Sequence, residues 1–219
     1  MSAGIKRGEL AELVERLSVA SAGRGDERGD TRERLLSAGM TAFSSDGFRA
    51  TTIRTLAARV GITPGAVYAH FSSKEEILVA AMARAWQQFL VAVVVPPDEG
   101  GETARLEGLC RRHMRFHMVT HPAETRATDV LMSNDEVVGQ MKPEAVALLR
   151  SAHEAYFARL HREVARASQV DGGSPRVLTH AVITLLNSTC NEPHPETGVG
   201  SPEAIEREYL QLVLRMLGR

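Results

Sequence analysis

The sequence predicts an all-α protein, and three observations carry that reading. Apolar residues recur at helical rather than alternating spacing, as in Ile53, Leu56, Ala57 and Val60. Long Val/Ile/Tyr/Phe alternations are absent, and only 5% of the 219 residues are aromatic. Clusters of Pro, Gly and acid, such as PPDEGGE from Pro96 and DGGSP from Asp171, cut the chain into helix-length pieces. Hydrophobic residues make up 43% of the chain, ample for a packed core.

In chain order, residues 1–29 read as a flexible N-terminal arm. Leu10, Leu13, Val14 and Leu17 give it one short apolar stripe, and SAGRGDERGD reads as a charged linker. Asp30 to Ser45 is a helix with Leu36, Met40 and Phe43 on its inner face, stopped by Asp46-Gly47. Thr52 opens a second helix and Gly61 ends it, because glycine adopts the left-handed conformation that terminates helices. Thr63 caps a third, with Pro64 at its first position, where a missing N–H costs nothing. Ser73 with Glu76 forms a capping box for a long helix to Val95, which Pro96-Pro97 ends. Further helices are expected over Glu102–Thr120, Ala123–Ser133, Glu144–Ser168, Pro175–Cys190 and Pro202–Leu217.

Two short helices joined by a glycine turn, over about 52–71, make a helix-turn-helix, whose second helix enters the DNA major groove. Charge agrees: Thr31 to Lys74 carries +4, leaving −5 on the remainder of a chain whose net charge is −1. A basic end on an acidic body orients a molecule on DNA. No apolar run reaches about 18 residues, so no membrane span is expected. No signal-peptide apolar segment opens the chain, and Cys110 and Cys190 lie in no metal-like spacing, so the expected location is cytoplasmic. No phosphate-binding glycine loop, GxSxG or HExxH occurs, so a small helical enzyme is disfavoured.

The run TPGAVYAHFSSKEEIL, with the upstream run FSSDGFRATTIRTLAARVGI, resembles the signature of TetR-type repressors densely over Asp30 to Leu90. The resemblance implies a DNA-binding domain at 30–90 and a ligand-binding and dimerisation domain at 91–219. It also implies that Tyr68 and His70 meet phosphate. Thr52, at a helix N-terminus, offers hydroxyl and N–H to a phosphate. Lys74 reads as a phosphate clamp, and Arg54 reaches phosphate or base. Thr63 and Gly65 begin the recognition helix, and Pro64 and Ala66 offer only van der Waals contact to thymine methyls. Arg49, Arg54 and DNA shape therefore share specificity.

For the body, Met114, His117, Met118, Asp129, Met132, His153, Phe157 and Asn187 are the candidate effector-lining residues, an apolar set with a few polar groups. His113, His117 and His121 share a helical face, but no carboxylate or Cys stands at ligand spacing beside them, so no metal or cofactor is expected. The family's last two helices form a four-helix dimer interface, which points to Leu178, Val182, Leu185, Ile205, Tyr209, Leu212 and Met216. The last third resembles a subgroup that regulates lipid and acyl-CoA metabolism, implying a lipid-like or acyl-CoA effector. Its loop NEPHPETGVGSPEAIE departs from that subgroup's aromatic-rich loop. The expected function is a homodimeric repressor released from a palindromic double-stranded operator by a small molecule. The alternatives are an activator and a DNA-binding protein without an effector.

Overall fold

The structure is a computed structural model that describes residues 6–22, 29–97, 99–120, 128, 131, 134–189 and 201–219. Ten helices are named: α1 Arg7–Ser21, α2 Gly29–Ser45, α3 Ile53–Val60, α4 Pro64–Tyr68, α5 Lys74–Phe89, α6 Glu102–Arg115, α7 Asp135–Val138, α8 Pro143–Ala167, α9 Pro175–Ser188 and α10 Pro202–Met216. No strand occurs among the described residues, so the all-α expectation holds. The expected Ala123–Ser133 helix falls largely outside the described residues.

Three features differ from expectation. First, α1 is a formed helix of 15 residues with Leu10, Leu13 and Leu17 buried, not a frayed arm. Second, two helices run on into a π-helical turn: Leu90–Val94 continues α5, and Phe116–Thr120 continues α6. Third, Lys74–Val94 is long and apolar enough, by length and composition, to cross a bilayer, and most of its apolar window is buried. Lys74, Glu75, Glu76 and Arg84 interrupt its apolar run. The chain divides into two compact units.

One unit comprises Ala11–Gln88 with Ala123–Ala152. Its core is built where the apolar periodicity of α2 and α5 converges: Leu35, Leu36, Met40, Phe43, Ile77, Leu78 and Met82 are fully buried. Gly39 is required by close approach, since a Cβ there would sit 2.8 Å from Ile77 Cγ2 and 3.3 Å from Phe43 Cε2. Phe48 plugs this core, its ring 5.1 Å from that of Phe43. Arg84, buried on α5, pairs with Glu33 and donates to Ser37 Oγ at 3.1 Å. The α5 cap is displaced by one residue from the expected box. Ser73 Oγ accepts from Glu76 N at 3.2 Å, but the Glu76 carboxylate reaches back to Ser72 N and Oγ, both at 2.6 Å.

The other unit comprises Met1–Leu10, Phe89–Pro122 and His153–Arg219. Here α6, α9 and α10 pack around Leu106, Leu109, Cys110, Val182, Leu186, Ile205 and Val213, all buried. Burial pushes the Cys110 thiol up to about 12, so it is an inert core residue. Glu206 ties α10 to α6 through Arg111 at 2.5 Å and Arg115 at 2.8 Å. Burial alone would raise the Glu206 carboxyl, but hydrogen bonds from Arg115 and Arg111 outweigh it and hold it below its usual value.

Candidate nucleic-acid interface

The α3–turn–α4 segment is specified by local chemistry at each end. Thr52 is extended (φ −118°, ψ 159°), and its Oγ1 accepts from Thr55 N at 3.1 Å. Thr55 Oγ1 returns the favour, accepting from Thr52 N at 3.0 Å, so two threonines make a capping box. At the other end Gly61 is left-handed (φ 76°), Gly61 N donates to Ala58 O, and Ile62 N donates to Ala57 O. These two bonds are the Schellman pattern, which satisfies terminal carbonyls. The Arg34 guanidinium donates to Val60 O, adding a cation where the helix dipole is negative. Thr63 Oγ1 then accepts from Ala66 N at 3.2 Å and starts α4 with Pro64 at its first turn.

α4 is thereby turned so that Val67 is buried while Thr63, Pro64, Gly65 and Tyr68 face solvent. Tyr68 is 59% exposed, unusual for a ring of its size. Thr52, Arg54 and Arg49 are exposed as well, and Ala66 is half-buried. Gly65 is not demanded by its own fold: a Cβ there would find only Thr63 Oγ1, at 3.9 Å.

Two expected phosphate contacts are placed differently. His70 is only 6% exposed and its Nδ1 has no hydrogen-bond partner, so the ring is packed inward beside buried Phe71 in sequence. Lys74 lies 4.4 Å over the Phe48 ring, and its Nζ donates to the carbonyls of Phe48 at 2.8 Å and Thr51 at 3.1 Å. Its ammonium holds the α2–α3 connection in shape instead of standing free as a clamp. Arg49, on that connection, pairs with Glu136 at the start of α7. Sequence reading had no signal for Glu136, which stands far along the chain in a stretch with no motif.

The expected effector-lining residues do not form one group. His117 and Met114 are buried, Met118 is largely so, and Asn187 is half-buried. His153 is exposed, and Phe157 belongs to a separate ring group with His161 at 5.9 Å and His180 at 4.8 Å. Asp129 and Met132 lie outside the described residues, as do His121 and Cys190. The residues the structure does gather around His117 are rings: Phe89 sits edge-on to His113 (5.4 Å), Phe116 (5.3 Å), His117 (5.9 Å) and Tyr156 (4.9 Å). His113 Nδ1 and Tyr156 Oη share a 2.6 Å hydrogen bond, and the two imidazoles lie 4.0 Å apart.

Both imidazoles are held neutral. Burial pushes His117 down to about 3. Burial first, then the neighbouring His117, holds His113 well below the ordinary imidazole range, with Asn187 opposing. The i, i+4 spacing of the two histidines was legible. Phe89, at the end of a different helix, was not. No group of three or more metal-competent side chains occurs among the described residues.

The expected dimer residues divide into two classes. Val182 and Ile205 are fully buried within their own chain, so they are core and are withdrawn from the interface. Leu178, Leu185, Tyr209 and Met216 are partly exposed, and Leu212 is 44% exposed.

Residues 35–81 match the sequence family described as bacterial regulatory proteins, tetR family. The chain is 42% identical over 52 residues to the HTH-type transcriptional regulator YerO of Bacillus subtilis (strain 168), a match covering 24% of this chain and 18% of that protein. It is 26% identical over 162 residues to the HTH-type transcriptional regulator UidR of Escherichia coli (strain K12), covering 71% and 76% of the two chains. Among solved structures, a tetR family regulatory protein from Rhodococcus RHA1 superposes with a TM-score of 0.71 at 22% identity, over 86% of this chain and 97% of that one. AibR, solved in complex with isovaleryl coenzyme A and operator DNA, superposes with a TM-score of 0.67 at 18% identity, over 84% and 97%. At these identities the structural likeness speaks for the fold.

Proposed function

We propose a mode of action from one premise: the chain belongs to the TetR family of bacterial regulatory proteins and is a DNA-binding transcriptional regulator. It acts as a homodimeric repressor on a palindromic operator, and a small molecule releases it. The observation that carries this reading is the α4 surface: Thr63, Pro64, Gly65 and Tyr68 stand in solvent on a helix whose opposite side, Val67, is buried. A glycine at position 65 that the fold itself does not need makes sense where a DNA backbone comes close. Thr52 and Tyr68 supply phosphate contacts, Arg49 and Arg54 phosphate or base contacts, and Ala66 and Pro64 apolar contact in the groove. Lys74 and His70 support this surface from beneath.

Half-exposed Leu178, Leu185, Tyr209, Leu212 and Met216 on α9 and α10 provide the dimer face. Two-fold symmetry would place two α4 helices about one DNA turn apart. The effector is recognised near His113, His117, Tyr156 and Phe89. Burying a charge beside two imidazoles held neutral is expensive, so the part of the effector reaching them is uncharged. An acyl chain or an aromatic body satisfies that, and AibR is found in complex with isovaleryl coenzyme A. Release requires the effector to bind the DNA-free form more tightly than the DNA-bound form.

DNA selection with the purified chain tests the core of this reading. Two inverted half-sites about 10 base pairs apart, centre to centre, are expected. Tyr68→Ala should abolish most enrichment while leaving the melting temperature unchanged. Recovery of a single unrepeated site, or of no site, would refute it.

A further inference from the structure

We propose that Glu136 is an internal competitor for the DNA backbone: its carboxylate holds the Arg49 guanidinium in the DNA-free protein and gives it up when Arg49 engages the operator. This rests on the assignment of Arg49 to the DNA-contacting surface and adds a regulator to it.

Both partners stand on fixed backbone, so the side chains are the moving parts. The α2–α3 connection under Arg49 is tied by Lys74 through the carbonyls of Phe48 and Thr51. Glu136 sits in the first turn of α7, where Asn134 Oδ1 accepts from Glu136 N at 3.0 Å and from Val137 N at 3.2 Å. Val137 and Met141, which follow it, are buried and anchor the segment. Residues 123–152 cluster with 11–88 in a single compact unit, so the pairing is internal to that unit.

The chemistry matches that of the ligand it displaces. A carboxylate offers guanidinium the same pair of anionic oxygens as a phosphodiester. The strength is also in the right range. Arg49 and Glu136 side chains are 77% and 51% exposed, so water and salt weaken the pair and DNA can break it. A fully buried pair would lock the arginine away.

The test is operator affinity of the full chain by fluorescence anisotropy, using the selected site, for wild type, Glu136→Gln, Arg49→Gln and the double variant. Glu144→Gln, an exposed acid of the same unit, serves as a charge control. Glu136→Gln should tighten binding about two- to fivefold, the range set by an exposed ion pair, and should have no effect when Arg49 is already Gln. Glu144→Gln should leave affinity unchanged. No gain from Glu136→Gln overturns the proposal. An equal gain in both backgrounds also overturns it, since the acid would then act through bulk charge alone. If Arg49→Gln does not weaken binding, the assignment of Arg49 itself is wrong and the competitor falls with it, while the Tyr68 result stands separately.

Discussion

Replacing Lys74 by Ala separates two roles that one ammonium can play. In the structure its Nζ donates to Phe48 O at 2.8 Å and Thr51 O at 3.1 Å and covers the Phe48 ring at 4.4 Å. A hydrogen bond from a charged donor contributes about 1.5–3 kcal/mol, and a partly exposed cation–π contact about 0.5–1 kcal/mol. Solvent access reduces both, so the loss is about 2–3 kcal/mol. For a chain of 219 residues each kcal/mol moves the melting temperature by about 2–4 °C. Lys74→Ala should therefore melt about 5–10 °C below wild type, followed by circular dichroism. Lys74→Met keeps the stem over Phe48 and should recover only the packing share. Operator affinity measured across a salt titration gives the opposing outcome. If Lys74→Ala melts like wild type while the slope of log K against log salt shrinks by about one, Lys74 is a phosphate clamp and the structural reasoning is wrong.

Two further outcomes follow from the other unit. His117, held at about 3, and His113, held below its usual value, are neutral when folded but titrate near 6.5 when unfolded. The unfolded chain then binds more protons below that pH. Stability is full above about pH 6.5 and is lost as pH falls, by up to about 1.4 kcal/mol per pH unit per histidine. Urea unfolding at about pH 7, 6 and 5 should show a shallower decline for His117→Phe than for wild type, and an equal decline would refute the buried neutral imidazole. Leu212→Glu should yield a helical monomer by light scattering and circular dichroism, whereas Ile205→Glu should lose its helicity. A folded Ile205→Glu monomer would return that residue to the interface.

The helix-turn-helix was legible because short-range rules fix it. A threonine cap, a left-handed glycine and a proline at the first turn of α4 each act within a few residues of themselves. What escaped depended on partners distant in sequence. Periodicity marked Ile205 and Leu212 alike as apolar but could not say that one faces its own chain's core and the other solvent. Tyr68 closes α4 and His70 stands in the turn just after it, both part ring and part polar group, and only tertiary packing sends one in and the other out. The π-helical turns were invisible for a different reason. A widened turn changes the angular step between side chains, so a fixed 3.6-residue period read past Phe89 or Arg115 assigns the wrong face. Arg49 was found, but Glu136 was not, since a single glutamate carries no pattern.

The missing side chain at position 39 has a mechanical consequence. Ile77 fills the space that a methyl group would take on α2, and Phe43 closes the gap beside it. Two helices meshed so closely cannot slip past one another by a fraction of a turn without collision. Any side chain larger than glycine at position 39 would therefore have to push Ile77, and α5 with it, away from α2.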